Sequence, residues 1–353
     1  MHVAVVGGGI VGVASAYYLA QRGVEVTVFE RDSLGAGSTE RAVGGIRAQY
    51  STPVNVDLSV ASMRVWDGFE DRFGVDIAYR THGYLFLTRE PGTADSFERN
   101  VEMQRERGVP SVVLSPEDAT AHCAGLDPEP FAAATYSPTD GYADPHLALQ
   151  GYARAARESG VEIRTGTAVT DVRLEGGTVV GIETDGERVD TDFVVDAAGA
   201  WAGHVAEMAG VALPIEPQRR QTVVVDPARP VPETDPLTID LDTTAHFRPE
   251  REGRALVGGH FDAPESADPD RYDDRMDTGW AVEAVERAAE FVDYFGPETR
   301  LRRGWAGLYA VTPDHHPVIE EVLPGFVVAA GFSGHGFQHA PATGRIVSEL
   351  VCD

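Results

Sequence analysis

Residues 3–30, VAVVGGGIVGVASAYYLAQRGVEVTVFE, constrain this chain more than any other stretch. The apolar run 3–6 reads as a strand buried on both faces, as in a parallel sheet. It runs straight into Gly7-x-Gly9-x-x-Gly12. The Ala- and Leu-rich stretch that follows predicts a helix over 10–21, and Gly23 stops it. Residues 24–29 predict a second strand, ending in Glu30. Together these form a dinucleotide-binding βαβ pattern. Gly7 permits the tight turn, Gly9 lets backbone approach a pyrophosphate, and Gly12 lets the helix pack on the strand. The helix start offers free N–H groups and a positive dipole end to phosphates. Glu30 stands where a carboxylate accepts hydrogen bonds from an adenosine ribose.

At 353 residues the chain is long for one core and comfortable for two subdomains. No run approaches the ~20 apolar residues of a membrane span. Met1 leads directly into the first strand, so no signal peptide is expected. Cys123 and Cys352 have neither metal-ligand nor CxxC spacing, which predicts a reducing cytoplasm and no disulfide framework. Asp and Glu number 56 against 29 basic residues, a net charge of −27, and every basic residue is arginine. Such a body repels nucleic acid and anionic membrane. The acid is spread along the chain, which suggests a solvated, halophilic surface whose self-repulsion salt would screen. Without lysine there is no Schiff-base or P-loop lysine.

A glycine-rich loop follows Glu30, with Gly35, Gly37, Ser38, Thr39, Gly44 and Gly45, and then Arg47. Such a loop can wrap a cofactor larger than NAD and favours FAD. Apolar residues at helical spacing predict one helix over 53–73. Residues 83–88 predict a strand, 93–107 a surface helix, and 115–118 a capped helix start. The Pro-, Asp- and Gly-rich run 127–145 is expected to cross between domains, and Asp144 to cap a helix over 145–159. A hairpin is expected over 168–174 and 179–183 around Gly176-Gly177, and a buried strand over 193–196 ahead of the small-residue turn at Gly199. Stretches 214–225 and 245–260 read as antiparallel, 261–277 as an acidic loop, and 282–295 as a helix. The final strand, 326–330, leads into GFSGHGF and a closing helix over 340–350.

These motifs, with VVDAAGAW and WAGLYAVTPDHHP, resemble the FAD-dependent amine and amino-acid oxidoreductases: D-amino-acid oxidase, glycine oxidase, sarcosine oxidase and the beta subunit of archaeal proline dehydrogenase. The resemblance covers essentially the whole chain. It implies an α/β fold, a Rossmann-like FAD-binding domain of glutathione-reductase type with an inserted, mainly antiparallel α+β substrate domain. The expected FAD domain is discontinuous (1–80, 144–213 and 300–353), and the substrate domain comprises 81–143 and 214–299. The resemblance assigns the pyrophosphate to Gly7, Gly9 and Gly12 and the ribose to Glu30, with Ile10, Val11 and Arg31 also at the cofactor. It lays Ser38, Thr39, Val43, Gly44, Gly45 and Ile46 along the phosphates and flavin. Val169 is implied at adenine, Gly199, Trp201 and Gly307 beside the cofactor, and Gly334, His335, Gly336, Phe337 and Gln338 under the flavin pyrimidine.

The reaction implied is hydride removal from the carbon next to nitrogen of a small, secondary or N-methylated amino acid, with hydrolysis of the imine. Arg47 resembles the arginine that holds a substrate carboxylate. Tyr309 stands where D-amino-acid and glycine oxidases have an arginine, and His260 resembles a pocket histidine, with His246 a weaker candidate. The Asp314-His315-His316 run is expected to be a turn braced by Pro313 and Pro317, with no metal. Gly307 replaces the cysteine that bonds flavin in sarcosine oxidases, so FAD is expected to be non-covalent. Leu256 and Gln338 replace lysines, which favours a dehydrogenase passing electrons to an acceptor protein or partner subunit. A non-catalytic flavoprotein or assembly factor, an oxygen-using glycine or D-amino-acid oxidase, and an NAD-linked enzyme remain open alternatives.

Overall fold

The computed structural model describes residues 1–261 and 266–353, so the expected loop over 261–277 lies partly outside the described residues. A six-stranded sheet carries the glycine motif. Its order is Val318–Leu323, Phe326–Ala330, Phe193–Asp196, His2–Val6, Glu25–Phe29 and Glu162–Arg164. All pairings are parallel except the first. The central strands are apolar without alternation because both faces are covered: Val3 and Val5 pack on the helix side, Ala4 and Val6 on the other. The helix Ile10–Gln21 ends where the sequence predicts, with Gly23 at φ 79°.

That helix lies alongside the C-terminal helix Gly336–Cys352. A Cβ on Gly344 would stand 2.8 Å from the Ala14 carbonyl carbon, so only glycine permits this approach. Arg22 reaches the Ser348 carbonyl (3.0 Å) and pairs with Asp353. Contacts therefore advance along both helices together: the two run parallel, with both N-termini at the same end. Trp66, Phe69, Phe73, Tyr152 and Phe337 complete this core. The single helix expected over 53–73 is broken at Gly68 (φ −102°, ψ 20°) into Pro53–Asp67 and Phe69–Phe73. Glycine's weak helix propensity lets the chain bend so that both halves still bury their aromatic faces.

An eight-stranded, mainly antiparallel sheet forms the second layer. Its order is Arg300–Val311, Glu216–Asp226, Ala255–Gly258, His246–Pro249, Leu237–Asp240, Tyr84–Thr88, Ala133–Ser137 and Val112–Leu114. One face is the core: Leu85, Leu87, Val223, Val225, Phe247 and Val257 pack against Trp280, Ala281, Ala284 and Ala288 of helix Thr278–Ala289. Strand periodicity sends the alternate residues to the opposite face. Gln218 pairs with Tyr309, Arg220 with Gly307 and Thr222 with Trp305, while Gly258 lies between Thr222 and His246. Phe86, His246, Arg220 and Tyr309 therefore share the face away from the apolar core. The stretch 127–145 is not a simple crossing: it contains strands Ala133–Ser137 and Gly141–Tyr142. Its Pro and Gly lie mainly in the turns around them, while Ala133 and Ala134 are buried against sheet neighbours. The expected hairpin forms Val169–Glu175 and Thr178–Thr184, turning at Gly176 and Gly177 with φ 61° and 85°.

Candidate active site

The glycine cradle is held open by backbone packing. Gly7 has φ 109°, and a Cβ there would lie 2.5 Å from the Ala197 carbonyl oxygen. A Cβ on Gly12 would lie 2.1 Å from the Gly7 oxygen. At Gly9 a Cβ would meet only the Thr39 hydroxyl, at 3.3 Å, and at Gly199 nothing within 4 Å. The protein thus forces two of the glycines, while Gly9 and Gly199 border open space. No side chain caps the helix through Gly9, although the Thr39 hydroxyl accepts the Ile10 N–H (3.1 Å). The Val11 and Gly12 N–H groups lie in the first turn, which has no intrahelical acceptors.

Glu30 is oriented by two backbone donors: Gly8 N–H (2.7 Å) and Asp32 N–H (2.8 Å). Its oxygens keep acceptor capacity for hydroxyls. Thr167 N–H donates to the Glu30 carbonyl (2.8 Å), which brings the start of Val169–Glu175 beside it. Arg31 lies on the Trp201 indole (4.1 Å), and both reach the Asp270 carboxylate, at 2.7 and 2.9 Å. Ser38 donates to the Leu308 carbonyl (2.8 Å), and Trp305 Nε1 to that of Arg41 (2.9 Å). These bonds tie the glycine loop to the long strand of the second sheet. Gly44 and Gly45 are set by packing: a Cβ would stand 1.9 Å from the Ala143 oxygen and 2.1 Å from the Tyr84 hydroxyl, respectively. Val43, Leu256 and Trp305 line a groove of about 800 Å³ beside this loop, with Arg41, Arg248 and Arg303.

At the far end the C-terminal motif meets the second sheet. Gly334 (φ 95°) lies against the Tyr309 ring, where a Cβ would approach to 2.3 Å. His335 N-caps the C-terminal helix and its Nε2 lies 3.2 Å from the Arg47 guanidinium. That guanidinium also covers the Tyr50 ring at 3.9 Å and donates to the Gln49 carbonyl. Arg47 is half-buried and has no carboxylate partner among the described residues. Arg220, half-buried with its guanidinium 5.8 Å from the Tyr309 ring centre, has none there either. His260 stacks edge-on to Tyr309 (5.7 Å) and to His246 (6.4 Å). Desolvation and neighbouring charge push the His335 imidazole well down and lower those of His246 and of His260, although His260 is exposed at its outer side. These rings are neutral at neutral pH, so the positive charge of this region is that of Arg47 and Arg220.

The structure brings Arg47, His335, Tyr309, His260 and His246 into one region. Gln338 and Phe337 are turned elsewhere. The Gln338 amide bonds to the backbone of Arg47, and Phe337 stacks on Trp66 (5.1 Å) inside the core. Only their backbone belongs to the helix start. The 313–317 run is a turn: Asp314 accepts the His316 N–H (3.0 Å) and His315 has φ 59°. Tyr50, Asp140, Asp196 and Arg220 escaped the sequence reading. Arg220 could have been found from strand alternation, since it shares a face with Gln218 and Thr222. Asp140 lies in a turn and bonds to Ala48, distant in sequence, while Asp196 ends a buried strand whose apolar run masks it.

A cradle of parallel strands facing an antiparallel sheet defines a nucleotide-cofactor protein of two layers. The chain belongs to the FAD dependent oxidoreductase family, whose model matches residues 2–350. FAD is its cofactor, and the open sides of Gly9 and Gly199, the free N–H groups of the first helical turn and the oriented Glu30 fit it. The chain is 34% identical to the FAD-dependent oxidoreductase domain-containing protein 1 of Bos taurus over 399 residues, covering 99% of this chain and 81% of that protein. It is 28% identical to a glycine oxidase of Geobacillus kaustophilus over 358 residues, covering 99% and 92%. A crystal structure of L-proline dehydrogenase from P. horikoshii superposes with a TM-score of 0.91 at 34% identity, covering 99% of this chain and 93% of that one.

Proposed function

We propose that this oxidoreductase removes hydride from the carbon beside nitrogen in a small, secondary or N-methylated amino acid. The observation that carries this reading is Arg47. In a chain with 27 more acidic than basic residues, its half-buried guanidinium has no carboxylate partner among the described residues and neighbours Tyr309 and His335. A fork of N–H donors in that setting suits a substrate carboxylate. Bound FAD supplies the hydride acceptor. The chain's part is positioning: Arg47 holds the carboxylate, Tyr309 and His260 wall the amine, and the start of the C-terminal helix stabilises negative charge by its dipole. The glycine oxidase and L-proline dehydrogenase among its relatives support an amino-acid substrate.

The positions of the cysteines support non-covalent FAD. Cys123 lies in the core behind the second sheet, and Cys352 at the far end of the 17-residue C-terminal helix. With no lysine anywhere in the chain, dehydrogenase chemistry with an acceptor protein is favoured over oxygen use. We assign the six-stranded sheet to the FAD domain and the eight-stranded sheet to the substrate domain, which moves strand Arg300–Val311, expected in the FAD domain, to the substrate side. The free cysteines support a reducing, cytoplasmic setting, and the acidic surface a halophilic one. Thermal stability that rises with KCl is expected; indifference to salt removes the halophilic reading.

The test is anaerobic titration of the yellow protein with sarcosine, dimethylglycine, glycine and proline. Bleaching of the flavin absorbance by at least one of them is expected. No bleaching by any member favours the non-catalytic reading. Arg47→Ala should raise the Michaelis constant for the carboxylate substrate by about 100-fold, the size of a lost charge-assisted pair.

A further inference from the structure

Residues 47–50 follow the two-residue strand Gly45–Ile46 and belong to no ladder themselves. Two buried side chains stand in for one. The Gln338 amide closes on the Arg47 peptide from both sides: Oε1 accepts its N–H (3.2 Å) and Nε2 donates to its carbonyl (3.0 Å). The Ala48 N–H, on the same peptide unit as the Arg47 carbonyl, is accepted by Asp140 (2.9 Å). Asp140 also accepts from Gln49 Nε2 (3.2 Å) and the Ser137 hydroxyl (3.2 Å). Gln49 Nε2 donates in turn to the Tyr84 carbonyl (3.0 Å), and the Gln49 carbonyl receives the Arg47 guanidinium. Asp140 has no exposed surface and Gln338 only 4%, so neither offers a surface to a bound ligand.

We infer that Asp140 and Gln338 are positioning residues that fix the Arg47 backbone, and through Gln49 its guanidinium, in the orientation that receives a carboxylate. This rests on the reading of Arg47 as the carboxylate-binding group. A buried carboxylate fits the role because three donors converge on it. An asparagine would turn an NH2 group towards one of those donors, leaving two donors face to face and a buried polar group unsatisfied. Arg47, Tyr50, Tyr79, Tyr84 and Tyr136 are the ionisable groups that face Asp140. Burial pushes its carboxyl up to about 6. The clamp therefore carries its charge at neutral pH and loses acceptor capacity as pH falls through that value, so carboxylate binding weakens below it.

The experiment uses the flavin-loaded protein and acetate, a bare carboxylate, with binding read from perturbation of the flavin absorption and without turnover. Asp140→Asn and Gln338→Leu should each weaken acetate by about tenfold, the size of one lost hydrogen bond to a charged group. For the substrate found by titration, the Michaelis constant should rise more than kcat falls, while that of its carboxamide analogue stays put. The weakening of acetate binding by the parent protein as pH falls from about 7 to about 5.5, a range in which acetate itself stays mostly ionised, should vanish in Asp140→Asn, because the protein carboxyl that titrates there is gone. Equal losses for carboxylate and carboxamide, or unchanged acetate affinity, overturn the inference. Should Asp140→Asn fail to load flavin, Ser137→Ala removes one donor and should weaken acetate by about threefold; no change there overturns it equally. Arg47→Ala separates the two levels. If it leaves acetate affinity unchanged, the reading of Arg47 itself fails. If it abolishes binding while the other variants do nothing, only the positioning role fails.

Discussion

The two ends of the site are built from different materials. The cradle is backbone: Gly7 and Gly12 are fixed by carbonyl oxygens at 2.5 and 2.1 Å, and N–H groups do the binding. The proposed substrate end is side chains: Arg47, Arg220, His260 and Tyr309 come together from four distant segments. Backbone recognition tolerates almost any sequence that folds and cannot tolerate a methyl group at the wrong glycine. Side-chain recognition inverts both statements. If the two ends hold cofactor and substrate as proposed, the two specificities can vary independently within one chain.

The sharpest way to break this contrast lies in the cradle. Gly7→Ala combines positive φ with a clash against fixed backbone, costing at least ~3 kcal/mol. Purified Gly7→Ala should retain little or no flavin, read from the ratio of flavin to protein absorbance. Normal flavin content would mean that the cradle is softer than its geometry. On the pocket side, Arg47→Lys keeps the charge and loses the fork. Its Michaelis constant should rise by about tenfold with flavin content unchanged. If flavin content falls too, the two ends are not independent.

Asp196 tests the border between them. It ends the strand beside the cradle, has no exposed surface, and one of its oxygens lacks a partner among the described residues. Burial pushes its carboxyl up to about 8 from an ordinary value of 3.8. Between these values the folded chain keeps a proton that the unfolded chain releases, so stability falls as pH rises through the window and levels off above about 8. Asp196→Asn removes that slope. Its melting temperature relative to the parent should gain roughly 5 °C between about pH 5 and pH 9. A constant difference would mean that Asp196 does not carry the shift. The smallest effect is on the outer helix, where Arg287→Ala breaks the pair with Glu283 (2.6 Å). It should cost no more than ~0.5 kcal/mol in denaturant unfolding and leave both flavin and substrate binding alone.

The same contrast explains what the sequence disclosed. The βαβ unit was legible because its signal is local: spacing of glycines, an apolar run, an acid at a strand end. Strand 326–330 and helix 10–21 were found to the residue for the same reason. The proposed substrate end could be suggested from sequence only where a motif resembled known enzymes, as at Arg47, and that role is still a proposal. Asp140 stayed hidden because its meaning is a hydrogen bond to Ala48, 92 positions away. Leu237–Asp240 was missed because it is a four-residue strand whose parallel partner, Tyr84–Thr88, lies far upstream. Helix Thr278–Ala289 begins earlier than the 282 start expected because Asp277 caps it by accepting the Trp280 N–H (2.9 Å).

The parallel pair of helices has an electrochemical consequence. Their N-termini open at the same end, one at the glycine cradle and the other beside Tyr309. Bound flavin would thus feel two peptide dipoles whose positive ends face it within a molecule of charge −27. Counter-ions gather around surface acids but do not reach into a packed helix. The midpoint potential of the flavin should therefore hold nearly constant from dilute buffer to concentrated KCl, while the rate of electron delivery to a charged acceptor changes steeply.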